Sequence, residues 1–391
     1  MRILLFTGKG GVGKTTLAAA TAASLAARGR KTLVVSTDPA HSLGDAFATA
    51  LGGEPSEVDT PAAFAGGPGV VPRALTLHAA QIDSRALVDD AWAELRGQLR
   101  GLLSGAGVEA LDAEELTVVP GVDELLALTE VRRLAEAGPW ENVVVDCGPT
   151  AETLRLLSLP EAVSGYLGRL RGRGGLGRSV RRFATHLAGL RTLLTDPSVT
   201  TVRLVLTPER LVVAETRRTL SSLALRGIAV DGLIVNRLMP APGRMPGSAA
   251  AWLRTRRAQQ DAVLTELTEA GLERSLRRVE HRAVEPVGLP ALLEIAGDLY
   301  GTEDPLARSA RPVAPLLSVA ETEGGHELRV GVPLTRSARV DLARVGDDLA
   351  ITVDGVRRLI ALPELLRPCR ITGAESDSAG LVVQLEPAGG A

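Results

Sequence analysis

Residues Gly8 to Thr16 read GKGGVGKTT, and they stand between an apolar run (Ile3 to Thr7) and a long helix-patterned stretch. This order constrains the chain more than any other feature. Consecutive backbone N–H groups converge on one anion only where a glycine-rich turn folds tightly at a helix N-terminus. The spacing G-x-x-x-x-G-K-[ST], in strand–loop–helix context, is that of a phosphate-binding loop. Gly8, Lys9, Gly10, Gly11, Val12, Gly13, Lys14, Thr15 and Thr16 are therefore the candidate nucleotide-binding residues. Lys14 is expected to reach the β- and γ-phosphates and the Thr15 hydroxyl to hold Mg²⁺, which makes ATP and Mg²⁺ the expected cofactors.

The rest of the chain supports that frame. Ile3–Thr7, Thr32–Ser36, Asn142–Asp146, Val202–Thr207 and Gly232–Asn236 are apolar through both faces, as buried parallel strands are. Helical periodicity fills the intervals at Thr15–Arg28, Ser84–Leu103, Val122–Ala137, Glu209–Arg226 and Ala249–Ala270. Such alternation predicts an α/β doubly wound, mostly parallel sheet over residues 1–301. The proline-rich stretch at 302–315 reads as a linker. From 316 to 388, short alternating segments (HELRVGVPL, DLAITVDG, RRLIALP, GLVVQLEP) separated by turn residues predict a small all-β sandwich.

Composition excludes several classes. At 391 residues, with 45% hydrophobic and 23% charged residues, the chain has ample core, so disorder is not its main state. A net charge of −2 argues against a generally basic nucleic-acid binder. The lysines number only three (Lys9, Lys14, Lys31) and the asparagines two (Asn142, Asn236), a bias expected of a GC-rich genome that writes Arg for Lys. Two of those lysines standing in the glycine loop is then notable. Cys147 and Cys369 are too few for a disulfide framework or a four-thiolate site. The N-terminus does not read as a signal peptide, and no apolar run approaches the roughly 18 residues of a membrane span. A cytoplasmic location is expected.

Two carboxylates complete the candidate site. Asp38 follows the second strand in STDPAHSLGD, placed to orient water toward a γ-phosphate. Asp146 ends a strand expected two strands from the loop's own, where a carboxylate serves the Mg²⁺ shell. The second lysine, Lys9, resembles the deviant Walker A class of P-loop ATPases, and D-P-A-H-S-L-x-D resembles switch I of the ArsA/GET family (arsenite-pump and tail-anchored-protein targeting ATPases). VVVDCGPTAETLRLL resembles that family's switch II, with Cys147, Gly148, Ala151 and Glu152 departing from its pattern. P-G-V-D-E at 120–124 and T-P-E at 207–209 match further. The resemblance implies that Lys9 reaches a partner subunit's nucleotide and that Asp38 activates water, with His41 and Ser42 nearby. It also implies that Asn236 and Arg237 meet the adenine, with Pro286 to Leu289 on the other side of the ring.

Within the family, the chain has neither the cysteines of an arsenite sensor nor the Cys-x-x-Cys of the eukaryotic targeting factors, and no pair of cysteines for an intersubunit cluster. Its C-terminal segment resembles the α-crystallin-like domain of small heat-shock proteins, which certain bacterial and plastid members carry. Residues 162–195 contain seven arginines and no acid. This stretch reads equally as a solvated loop or as a lid touching a client or anionic lipid, and Leu167, Leu170, Leu187, Leu190, Leu193 and Leu194 as a client wall or as ordinary core. The expected protein is a dimer, with itself or a paralogue, that binds and releases a hydrophobic client, with transient membrane contact and no nucleic-acid partner. An arsenite-type transporter subunit, a positioning switch and a non-hydrolysing scaffold are the alternatives.

Overall fold

The structure is a computed structural model that describes residues 1–38, 42–59, 76–83, 122–147, 178–243, 246–269, 276–307, 317–322, 324–331, 339–353, 355–377 and 380–387. The chain first forms β1 (Arg2–Thr7), α1 (Lys14–Ala27), β2 (Thr32–Ser36), α2 (Ser42–Phe47), β3 (Ser56–Glu57), β4 (Leu77–Gln81), α3 (Val122–Ala137), β5 (Asn142–Asp146) and α4 (Arg178–Thr195). It continues with β6 (Thr200–Leu206), α5 (Arg210–Leu225), β7 (Val230–Leu238), α6 (Ser248–Glu269), β8 (Leu276–Glu280) and α7 (Leu289–Tyr300). The C-terminal strands are β9 (Leu317–Thr322), β10 (Gly325–Val330), β11 (Val340–Val345), β12 (Asp348–Val353), β13 (Val356–Ala361), β14 (Cys369–Asp377) and β15 (Gly380–Pro387).

The large sheet has the order β3-β4-β2-β5-β1-β6-β7-β8. β4, β2, β5 and β1 pair in parallel, as do β7 and β8, whereas the short β3 runs antiparallel to its neighbour. One expectation is corrected here. β5 lies directly beside β1, with Asp146 opposite Phe6, so the Asp146 strand is adjacent to the loop's strand and β2 is the one a strand further out. The reason is the crossover: β1 leads through α1 to β2, and β5 then fills the gap between them.

The chain divides into two compact units, residues 1–203 with 282–307 and residues 204–281 with 308–391. In the first, α1 (KTTLAAATAASLAA) is buried over nearly all its length. Alanine carries the highest helix propensity and lets the helix approach the strands and α7 closely on every side. Tyr300, at the end of α7, places its hydroxyl 2.7 Å from Thr21 Oγ1, and Arg203 Nη1 donates to it at 2.9 Å. The residues just after α7 are fastened as well. Arg28 donates to the carbonyls of Gly301 and Thr302, Arg30 pairs with Asp304 at 2.5 Å, and the buried Arg203 donates to the Pro305 carbonyl at 2.9 Å. The expected linker thus begins with a segment held against α1.

In the second unit the C-terminal strands form two antiparallel sheets, β14-β15-β10-β9 and β11-β12-β13, around one core. Alternation in the sequence becomes alternation in burial: Leu349, Ile351 and Val353 of β12 join Leu381, Val383 and Leu385 of β15 within that cluster. Leu225, the last residue of α5, is a fully buried member of the same core, so the helix and the sandwich share apolar interior. Leu225→Ala is therefore expected to cost about 2–5 kcal/mol by leaving a cavity. A lowered urea midpoint with unchanged slope would show it.

Candidate nucleotide and metal site

The glycine loop takes the conformation its residues anticipate. Gly11 (φ 78°) and Gly13 (φ 92°) are left-handed, and at Gly11 an added Cβ would meet nothing within 4 Å, so it is backbone freedom that requires glycine there. Val12 is buried and pins the loop from below. Gly13 caps α1, whose helical bonding starts with Leu17 N–H to the Gly13 carbonyl at 3.2 Å. Lys14, the first helical residue, is only 5% exposed, and its Nζ turns back to within 3.5 Å of the Lys9 carbonyl. Lys9 itself is exposed, and Thr16 is half-buried.

Beside the loop stands Asp146, with no exposed surface. Its Oδ2 accepts from Thr15 Oγ1 at 2.7 Å and from Ser36 Oγ at 3.2 Å, while Ser42 Oγ lies 3.0 Å from the Thr15 hydroxyl. Its Oδ1 is buried with no hydrogen-bond partner among the described residues. Burial pushes the carboxyl up to about 6, against the pull of the Thr15 bond and the Lys14 charge. A buried, partly unsatisfied carboxylate beside a threonine hydroxyl is an all-oxygen donor set of the kind a hard divalent cation takes. The residues present fit Mg²⁺. Cys147 follows directly; burial pushes its thiol up to about 12, so it stays protonated and chemically quiet.

Switch I is tied to the same carboxylate. The Asp38 N–H donates to Ser36 Oγ at 3.2 Å, and its carbonyl accepts from Gln81 Nε2 at 3.1 Å. Asp38, Ser42, Thr15, Lys14 and Asp146 therefore converge; His41 and switch II residues Gly148, Ala151 and Glu152 lie outside the described residues. The sequence alone assigns Ser36 and Gln81 no role. Their sign is positional: both occupy the rung of Phe6 and Asp146 at the strand ends. In the second unit Asn236 Oδ1 accepts from the Arg237 N–H at 2.9 Å, and Arg237 has φ 57°. Pro286 belongs to the first unit and is half-buried. Leu190 and Leu194 of α4 are buried and Leu193 is half-buried, whereas Leu167 and Leu170 lie outside the described residues.

The anion-transporting ATPase family model matches residues 1–180 and 177–301, and an HSP20-like domain found in ArsA matches 323–385. The chain belongs to the anion-transporting ATPase family. It is 36% identical to Protein Rv2184c of Mycobacterium tuberculosis, over 99% of this chain and 96% of that one. It is 31% identical to a Chlorobaculum tepidum protein named as a putative arsenical pump-driving ATPase, over 97% and 93%. With ATPase GET3 of Paracoccidioides lutzii it shares 30% identity over 69% of this chain and 81% of that protein. Membership supports ATPase activity, and the C-terminal sandwich is the HSP20-like domain.

Metal-free, the Asp146 carboxyl titrates higher when folded than when unfolded, so its contribution to stability is present below about pH 4 and lost as pH rises through about 6. Asp146→Asn should therefore be more stable than the natural protein at neutral pH in chelator. The gap should narrow as pH falls from 8 to 5, which thermal unfolding of the two proteins would read.

Proposed function

We propose that the chain is a Mg²⁺-dependent, nucleotide-gated dimeric ATPase that binds and releases a hydrophobic client in the cytoplasm. The observation that carries this reading is the sharing of one carboxylate. Asp146 is hydrogen-bonded both to the glycine-loop residue Thr15 and to Ser36, which in turn holds the backbone of Asp38. The state of the phosphate site is thereby joined to switch I.

In this reading the loop N–H groups and Lys14 bind the β- and γ-phosphates, and Thr15 with Asp146 holds Mg²⁺, which supplies charge neutralisation on the phosphates. Asp38 orients the attacking water and takes its proton. Asn236 offers its amide to the adenine edge, since an amide both donates and accepts. Lys9, exposed on the loop, reaches the nucleotide of a second subunit, so ATP closes a dimer and hydrolysis opens it. Its relatives include one named as a putative arsenical pump-driving ATPase and one named as ATPase GET3. The chain's only two cysteines are both buried, which favours a client over a thiolate-bound metalloid. Among the described residues no helix is long and apolar enough to cross a membrane.

Asp38→Asn should keep ATP affinity within about threefold while turnover falls at least about a hundredfold, the scale of a lost general base; Lys14→Ala should lose nucleotide binding itself. Retained turnover in Asp38→Asn would overturn the assignment. In light scattering with ATP and Mg²⁺, the Asp38→Asn protein should run as a dimer, and Lys9→Ala should not. A hydrophobic helical peptide should raise the ATPase rate of the natural protein; no change in rate with peptide would count against the client role.

A further inference from the structure

Four strands share one rung of the sheet at or next to their last residues. Phe6 pairs with Asp146, Asp146 with Ser36, and Ser36 with Gln81. Ser36 and Asp146 are fully buried, and Gln81 is only 4% exposed. A buried amide must find partners for its polar atoms, and the Gln81 Nε2 finds the Asp38 carbonyl at 3.1 Å. From the other side Ser36 Oγ takes the Asp38 N–H at 3.2 Å. Just before, the Thr37 N–H donates to the Asp146 carbonyl at 2.9 Å. Where the chain leaves β2, both polar groups of the Asp38 backbone are thus gripped by side chains at the ends of strands.

We propose that Gln81 is a positioning residue for ATP hydrolysis, its side-chain amide fixing the Asp38 backbone and hence the place where the Asp38 carboxylate stands against the phosphate site. The inference rests on Asp38 as the water-orienting group. Ser36 sets one end of the Asp38 residue relative to Asp146, and Gln81 sets the other. Without Gln81 that backbone loses the side-chain bond to its carbonyl, and the carboxylate is held less firmly in place. Only a donor serves: an ionised carboxylate at this place would face the carbonyl oxygen with like partial charge. The β4 backbone does not depend on the side chain, because the Gln81 N–H is bound to the Gly52 carbonyl at 2.8 Å.

The test is Gln81→Met, close in shape and without a donor. It is expected to lower kcat about tenfold, the rate equivalent of one hydrogen bond. Affinity for a non-hydrolysable ATP analogue should change less than about twofold. In an Asp38→Asn background, Gln81→Met should lower the residual single-turnover rate no further, because the two act as one unit. Unchanged kcat, loss of nucleotide affinity in step with kcat, or a full additional loss in the Asp38→Asn background would overturn the proposal. If Gln81→Met does not fold, Gln81→Glu carries the same expectation. The two levels fail separately. An active Asp38→Asn protein sinks the hydrolytic reading itself, whereas an inactive Asp38→Asn with a fully active Gln81→Met sinks only the role of Gln81.

Discussion

The carboxylate of Asp146 is buried at the end of β5 with two hydroxyls on one oxygen and no partner among the described residues on the other. Water would satisfy such a group cheaply, and the fold holds it away from solvent. The result is a fixed acidic group beside the buried ammonium of Lys14, its proton affinity raised by burial and partly restored to normal by that neighbour. The glycine loop, the start of α1, Ser36 and the first residue of α2 are all arranged around this one carboxylate. A divalent cation with its phosphates would answer both the carboxylate and the lysine.

That arrangement depends on how closely helix and sheet approach. A helix of leucines would stand further from β1 and β5 and carry Thr15 away from Asp146. The alanines and small polar residues of α1 are buried over nearly all its length, and their short side chains let the sheet and α7 pack close to it. The buried Arg203 lies against the rings of Phe6 and Tyr300, 5.9 and 5.8 Å from their centroids. Its charge faces ring surfaces that attract cations, and its fork hydrogen-bonds Tyr300 and Pro305. One side chain thereby ties its own strand to the loop strand's Phe6 and to the end of α7.

The central strands are legible in the sequence because their apolar residues run consecutively, VVV within NVVVD and LVV within TLVVS, and α3 begins at Val122, just after the Pro-Gly that marks it, while the expected helix Ser84–Leu103 lies outside the described residues. The glycine loop and both carboxylates are legible for a chemical reason, since few residue types serve a phosphate. Other elements are hidden. β4 reads LHAAQ and lacks β-branched residues; β8 reads LRRVE, charged because it lies at the sheet edge with one face to solvent. Strand order is hidden as well, because adjacency of β5 to β1 comes from a crossover and not from spacing. Gln81 is concealed for the same reason: register, not sequence distance, brings it to Asp38, 43 residues away.

The three arginines that fasten residues 301–305 bear on where the segment after α7 stops belonging to the first unit. Its composition changes character near residue 302, yet the acceptors for Arg28, Arg30 and Arg203 continue through Pro305. A chain shortened to end at Gly301 would take the Pro305 carbonyl from a guanidinium that is only 5% exposed, a loss felt more than that of any surface pair. One ending at Ala307 keeps every one of those bonds. The segment after α7 therefore stays with the first unit through Ala307, inside the stretch 302–315 that its prolines mark, and the extent of that attachment is set by the needs of three arginines, the most demanding of them buried.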